Sequence, residues 1–124
     1  MTKKIEHLPE KLVDTIIQAL KDLKAIDIVS VDLKEVSGAV CKYFVICNGT
    51  SSTHVSALAD NVQNETFEKL NEKVWHKEGH QNAQWLLLDY ADVVVHIFQK
   101  EYRDFYQLEQ LWADAKITRI PDAL

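Results

Sequence analysis

The chain has 124 residues, a length typical of one domain with a hydrophobic core of its own. Hydrophobic residues make up 47% of the sequence and charged residues 27%, a composition that excludes an intrinsically disordered chain. The net charge of −5 argues against a protein that holds DNA or RNA through a broad basic surface.

The first part of the chain predicts a helix and a β-hairpin. Apolar residues recur at helical spacing and Pro9 suits the first helical position, which predicts a helix over residues 9–24. The β-branched segment 26–33 predicts a strand, and the unbroken apolar run 43–47 predicts a strand buried on both faces. A turn signal at Ser37-Gly38 predicts that these two strands pair as a hairpin.

The middle of the chain predicts a capped helix and a short strand. Residues 48–52 are small and polar, and their hydroxyl groups can accept hydrogen bonds from the free N–H groups of a first helical turn. The apolar stripe that follows predicts a helix over residues 52–71. A short strand over 74–77 and a loop over 78–83 complete this region.

The last part of the chain predicts a second hairpin and a third helix. Residues 85–88 and 93–98 are strong strand signals, separated by a segment short enough for a tight turn. Helical spacing predicts a helix over 100–114, and the aperiodic tail 116–124 is expected to be flexible.

The predicted elements follow the order α-β-β-α-β-β-β-α. This order indicates an α/β two-layer sandwich with a mixed sheet, in one domain over residues 1–124. The polar N-terminus and the lack of a long apolar run predict a cytoplasmic protein that does not enter a membrane. Cys41 and Cys47 are expected to be reduced, packed thiols, and their spacing disfavours a zinc site.

The segment Gly49-Thr50-Ser51-Ser52 is the first candidate for chemistry. A turn of small residues at a helix start can offer N–H groups to an anion, and this arrangement is similar to the phosphate loop of nucleotidyltransferase-like folds. Those enzymes need a pair of metal-binding carboxylates on one strand face, and this sequence lacks such a pair. We therefore favour a plain helix cap, with a nucleotide-binding enzyme as the alternative.

The second candidate is a partner-binding surface on the second hairpin and the last helix. Tryptophan, tyrosine and arginine side chains, which dominate interaction hot spots, are concentrated there beside Asp89 and Asp92. Residues 1–50 carry seven basic and seven acidic side chains, so the whole acidic excess lies in residues 51–124 and suits a basic partner. His96 lies within a predicted strand, where we favour a buried histidine over a functional contact.

Three long segments resemble one known family. Residues 43–55 resemble the segment with the pattern Tyr-Phe-Val-Ile-x-x-Gly-x-Ser in the ribosomal silencing factor family, also called the Iojap family. Residues 85–98 and 103–112 are similar to its second and third signatures, in the same order. The resemblance covers nearly the whole chain.

The resemblance implies a translation repressor rather than an enzyme, without a cofactor or metal. Members bind the protein numbered fourteen on the joining face of the large ribosomal subunit, block docking of the small subunit, and are often dimeric when free. Their fold is similar to nucleotidyltransferases without the catalytic carboxylates. Carried over by position, the expected partner contacts are Trp85, Asp89, Tyr90, Asp92, His96, Arg103 and Tyr106.

Two positions depart from the family pattern. Many relatives have Asp immediately before the Tyr-Phe-Val-Ile run, where this chain has Lys42. Many have Gly in the second hairpin, where this chain has Ala91. If that position requires a positive φ, alanine costs about 1 kcal/mol there.

Overall fold

A computed structural model describes residues 8–106 and 115–122, with the side chains of 104–106 outside the description. Helices are α1 (Pro9–Asp22), α2 (Ser52–Leu70) and α3 (Lys100–Tyr106), and strands are β1 (Ile26–Asp32), β2 (Tyr43–Gly49), β3 (His76–Glu78), β4 (Trp85–Asp89), β5 (Val93–Gln99) and β6 (Lys116–Arg119). The predicted part of α3 beyond residue 106 lies outside the described residues. None of the described helices is long and apolar enough to cross a membrane.

The six strands form one mixed sheet in the order β3-β4-β5-β2-β1-β6. Both predicted hairpins are confirmed, since β1 pairs antiparallel with β2 and β4 pairs antiparallel with β5. The pairing of β2 with β5 is parallel and runs from Tyr43 opposite Val93 to Gly49 opposite Gln99. The predicted α/β architecture with a mixed sheet is therefore confirmed.

The centre of the sheet is buried on both faces. On the first face, α1 and α2 pack on one set of alternating residues from the central strands: Val45, Cys47, Val95 and Ile97. On the second face, the segment 33–41 and Tyr102 of α3 pack on the other set: Phe44, Ile46, Val94 and Phe98. Every residue of β2 is buried, which confirms the interpretation of residues 43–47 as a central strand.

Both cysteines are free and buried, as predicted for packed thiols. Burial raises the pKa of Cys41 to about 11 and that of Cys47 to about 12. Both thiols are therefore protonated at neutral pH, and this protonation makes them poor nucleophiles.

The prediction of a flexible tail is wrong for residues 116–119, which form β6 and pair antiparallel with β1. The tail is held further where Asp27 N donates to Asp122 Oδ1 over 3.0 Å. All four residues of β6 are exposed. Backbone hydrogen bonds to the sheet edge therefore fix this strand without a hydrophobic pattern that the sequence could reveal.

Two glycines with positive φ give a matched test of this packing. A Cβ at Gly79 would overlap the carbonyl oxygen of Trp85 at the start of β4, whereas a Cβ at Gly38 would meet nothing within 4 Å. We expect Gly79→Ala to lower the free energy of unfolding by about 3 kcal/mol and Gly38→Ala by about 1 kcal/mol. Urea unfolding of both variants measures the difference, and equal losses would contradict the close contact.

Candidate functional site

The turn between β4 and β5 is fixed by a short network of hydrogen bonds. Tyr90 N donates to Val93 O over 2.8 Å, and Asp89 Oδ1 accepts from Ala91 N over 2.7 Å. Ala91 has a φ of 72°, so the turn does require the left-handed conformation that favours glycine. The Asp89 carboxylate therefore both shapes the turn and carries a charge near its tip.

The turn is also joined to the start of β2. Lys42 N and Tyr43 N both donate to Asp92 O, over 2.8 Å and 3.1 Å. The exposed carboxylate of Asp92 lies 3.9 Å from Lys42 Nζ, a distance at which an exposed ion pair contributes little to stability. Lys42 thus partly screens Asp92.

Trp85 is held in one orientation by a buried histidine on the neighbouring strand. Its indole Nε1 donates to His96 Nδ1 over 3.0 Å, and its ring stacks on Phe98 with centroids 5.1 Å apart. The Phe44 ring meets His96 edge-on at 4.8 Å. Trp85 is half-buried, so part of the indole faces outward from a rigid aromatic support.

The protonation state of His96 follows from this contact. An indole N–H can only donate, so Nδ1 accepts and the neutral ring carries its proton on Nε2. Nε2 is buried and has no hydrogen-bond partner among the described residues. Burial lowers the pKa of His96 to about 4. The favoured interpretation of a buried histidine is confirmed, and its role is to position Trp85.

Besides His96, which is 5% exposed, two further expected contact residues are buried. Tyr90 is 8% exposed, and its hydroxyl lies 2.9 Å from Thr66 Oγ1 of α2. Arg103 is 6% exposed and donates from Nη1 to Asp27 O and Asn48 Oδ1. The expectation that these two side chains face a partner is therefore wrong for this conformation, because both are used to join elements of the fold. The side chain of Tyr106 lies outside the described residues.

Trp85, Leu87 and Asp89 of β4 lie on the second face of the sheet, where Trp85 and Leu87 pack against the margin of the second core and stay partly exposed. Together with the adjacent Asp92 they form what we call the hairpin surface. The first three alternate along β4 and are half-buried, whereas Leu86 and Leu88 face the first core. Leu87 was not among the predicted contact residues, although its spacing of two from Trp85 and from Asp89 places it on the same face of the strand. The hairpin surface combines an apolar centre with two carboxylates and so suits a basic protein partner.

The segment 49–52 forms the helix cap that the sequence favoured. Ser51 Oγ accepts from His54 N over 3.1 Å, and Thr50 N donates to His54 Nδ1 over 2.9 Å. Within the described residues, no group of three or more His, Cys, Asp or Glu side chains is arranged to hold a metal ion.

The positive φ of Ala91 predicts a stabilising substitution. We expect Ala91→Gly to raise the free energy of unfolding by about 0.5–1 kcal/mol, because glycine removes the Cβ strain of the left-handed conformation. Ala57→Gly, at an exposed position inside α2, is the matched control and should lower stability by about 1 kcal/mol. Chemical denaturation of both variants measures the sign of each change in the free energy of unfolding. Destabilisation by Ala91→Gly would contradict the turn geometry.

Burial of His96 predicts a pH-dependent stability. Its pKa falls from about 6.5 in an unfolded chain to about 4 in the fold, so the unfolded chain binds the proton first as the pH drops. The contribution of neutral His96 is complete above pH 6.5 and is lost towards pH 4, by about 3 kcal/mol in total. The variant His96→Asn keeps an acceptor near the position of Nδ1 but does not titrate. As the pH falls, the free energy of unfolding of the wild type should therefore drop by this amount more than that of the variant. Parallel stability curves from pH 7 to pH 4 would refute the assignment.

Known proteins of similar sequence identify the family of this chain. The profile of the family described as "Ribosomal silencing factor during starvation" matches residues 5–123. The ribosomal silencing factor RsfS of Bacillus subtilis is 40% identical over 99 residues, covering 80% of this chain and 82% of the relative. RsfS of Haemophilus influenzae is 40% identical over 102 residues, covering 82% and 98%.

A crystal structure of a Chromobacterium violaceum protein superposes with a TM-score of 0.80 at 31% identity, covering 86% of this chain and 88% of that one. The family match spans both hairpins, the central strands and α3. The chain belongs to the ribosomal silencing factor family, whose members are ribosome-associated regulators of translation.

Proposed function

We propose that this protein represses translation by binding the large ribosomal subunit at its joining-face protein number fourteen, which blocks association with the small subunit. Family membership supports the ribosomal target. The hairpin surface supports the manner of binding, because it presents an ordered indole and two carboxylates together. This combination on one face is the observation that carries the proposal.

The electrostatics favour ribosomal protein over ribosomal RNA as the direct contact. Asp89 and Asp92 sit on the tip, and only Lys42 offsets them within ion-pair distance among the described residues. Phosphates would be repelled by these carboxylates, whereas lysine and arginine side chains would be attracted. Trp85 then supplies an apolar anchor whose orientation is already fixed by His96 before binding.

Steric exclusion needs no catalytic group. A folded chain of this length has a radius of gyration of about 14 Å and is therefore roughly 35 Å across. Seated on the joining face, it separates the two subunits by much more than the few ångströms over which their contacts act. We also propose, as the family resemblance implies, that the protein acts in the cytoplasm without catalysing a reaction and that its free form is a homodimer.

Removing the two charges tests the hairpin surface without disturbing the turn. In the double variant Asp89→Asn, Asp92→Asn, an amide oxygen still accepts from Ala91 N, so the fold is kept. We expect about tenfold weaker binding to purified large subunits at low salt, and a smaller difference at high salt.

The matched control removes two exposed acidic charges from α2, in the variant Asp60→Asn, Glu68→Gln. It should co-sediment with the large subunit like the wild type. Equal binding by the hairpin variant, with unchanged circular dichroism, would show that the hairpin surface is not the contact. A wild-type protein that does not co-sediment would refute the proposed function itself.

A further inference from the structure

A second site lies at the opposite end of the central strands. A cavity of about 580 Å³ opens where β2 and β5 end, lined by Asn48, Gly49, Thr50, Gln99 and Lys100, among others. It is separated from the turn at residues 89–92 by the length of β5, roughly 20 Å at 3.3 Å per residue. It therefore shares no residue with the hairpin surface.

The topology explains why a cavity forms there. β2 and β5 are adjacent and parallel, but β2 leads into α2 on the first face whereas β5 leads into α3, whose Tyr102 packs on the second face. Two neighbouring parallel strands whose connections leave on opposite faces create a crevice outside their carboxyl ends. Such crevices are the usual ligand-binding position of open α/β sheets.

Asn48, a buried residue that lines this crevice, has one side-chain donor group that Arg103 does not use. Asn48 is 1% exposed, and its Oδ1 accepts from Arg103 Nη1 over 2.6 Å. A guanidinium can only donate, so the amide cannot flip and its Nδ2 is directed away from Arg103. Nδ2 has no hydrogen-bond partner among the residues that the structure describes. The positive charge on the oxygen side also strengthens Nδ2 as a donor.

The surroundings favour an anion. Lys100 lines the cavity and Arg103 lies behind Asn48, whereas Glu101 is the acidic residue of the lining. The 19-residue helix α2 starts at Ser52, close to the lining residues Gly49 and Thr50, and its positive end adds to the field. The volume is well above that of one phosphate group and lies within the range of small-molecule sites.

We propose that this cavity binds a nucleotide-sized phosphate ester, with Asn48 Nδ2 donating to a phosphate oxygen and Ile26 forming an apolar wall. The inference does not rest on the proposed function, because the cavity lining and the hairpin surface share no residue, although Trp85 of that surface pairs with Phe98 at the cavity end of β5.

Calorimetry on the full chain tests the ligand class with four probes: adenosine monophosphate, ribose 5-phosphate, adenosine and inorganic phosphate. We expect at least one of the two esters to bind about tenfold or more tightly than either adenosine or inorganic phosphate. Lack of binding by both esters would overturn the proposal. Equal binding of inorganic phosphate would also overturn it, because that result would indicate a simple anion site.

Asn48→Asp tests the location. The carboxylate still accepts from Arg103, so the fold is kept, but the donor is replaced by a negative charge. Ester binding should weaken about tenfold or more, while large-subunit binding stays unchanged. Asn64→Asp, with the same charge change at an exposed position in α2, should bind the ester normally.

Glu101→Gln gives a second test at an exposed position, in case Asn48→Asp does not fold. Loss of this carboxylate from the lining should tighten ester binding, because it removes repulsion of the phosphate. Unchanged ester affinity in both Asn48→Asp and Glu101→Gln would place the ligand elsewhere and contradict the assignment.

Discussion

The parallel pairing of β2 with β5 is the constraint on which the rest of this structure depends. Seven consecutive residue pairs, from Tyr43 with Val93 to Gly49 with Gln99, join two strands that are distant in the sequence. Because both strands are buried on both faces, a shift of one residue would exchange the two hydrophobic cores. The register therefore fixes the turn at one end of the pair and the cavity at the other.

At the turn, the fold uses buried polar side chains to position exposed ones. His96 sets the orientation of Trp85, and the Tyr90 hydroxyl joins the turn to Thr66 of α2. Asp92 O closes the link to the start of β2. The hairpin surface is thus rigid before it meets a partner, so little side-chain freedom remains to be lost on binding. The buried N–H at His96 Nε2 has no hydrogen-bond acceptor among the described residues, which lowers the stability of the fold by about 1–3 kcal/mol.

Much of the fold was predictable because its elements carry strong hydrophobic patterns, a helical period in α1 and nearly continuous apolar runs in β2 and β5. The strand β6 was not predictable, since its four residues are exposed and pair with β1 through backbone hydrogen bonds. The need for a positive φ at Ala91 was anticipated from the family pattern. The burial of Tyr90 and Arg103 was not, because amphipathic side chains look alike in sequence whether they join elements or face a partner. The likeness of the fold to nucleotidyltransferases stays a prediction.

Subunit joining is the step that the proposed function controls, and light scattering of mixed ribosomal subunits measures it directly. With purified large and small subunits, prior addition of this protein to the large subunit should lower the amplitude of ribosome formation in proportion to its occupancy. The repression account predicts that the amplitude recovers when free large subunits are added in excess of the protein. Full ribosome formation with the protein still bound to the large subunit would contradict it.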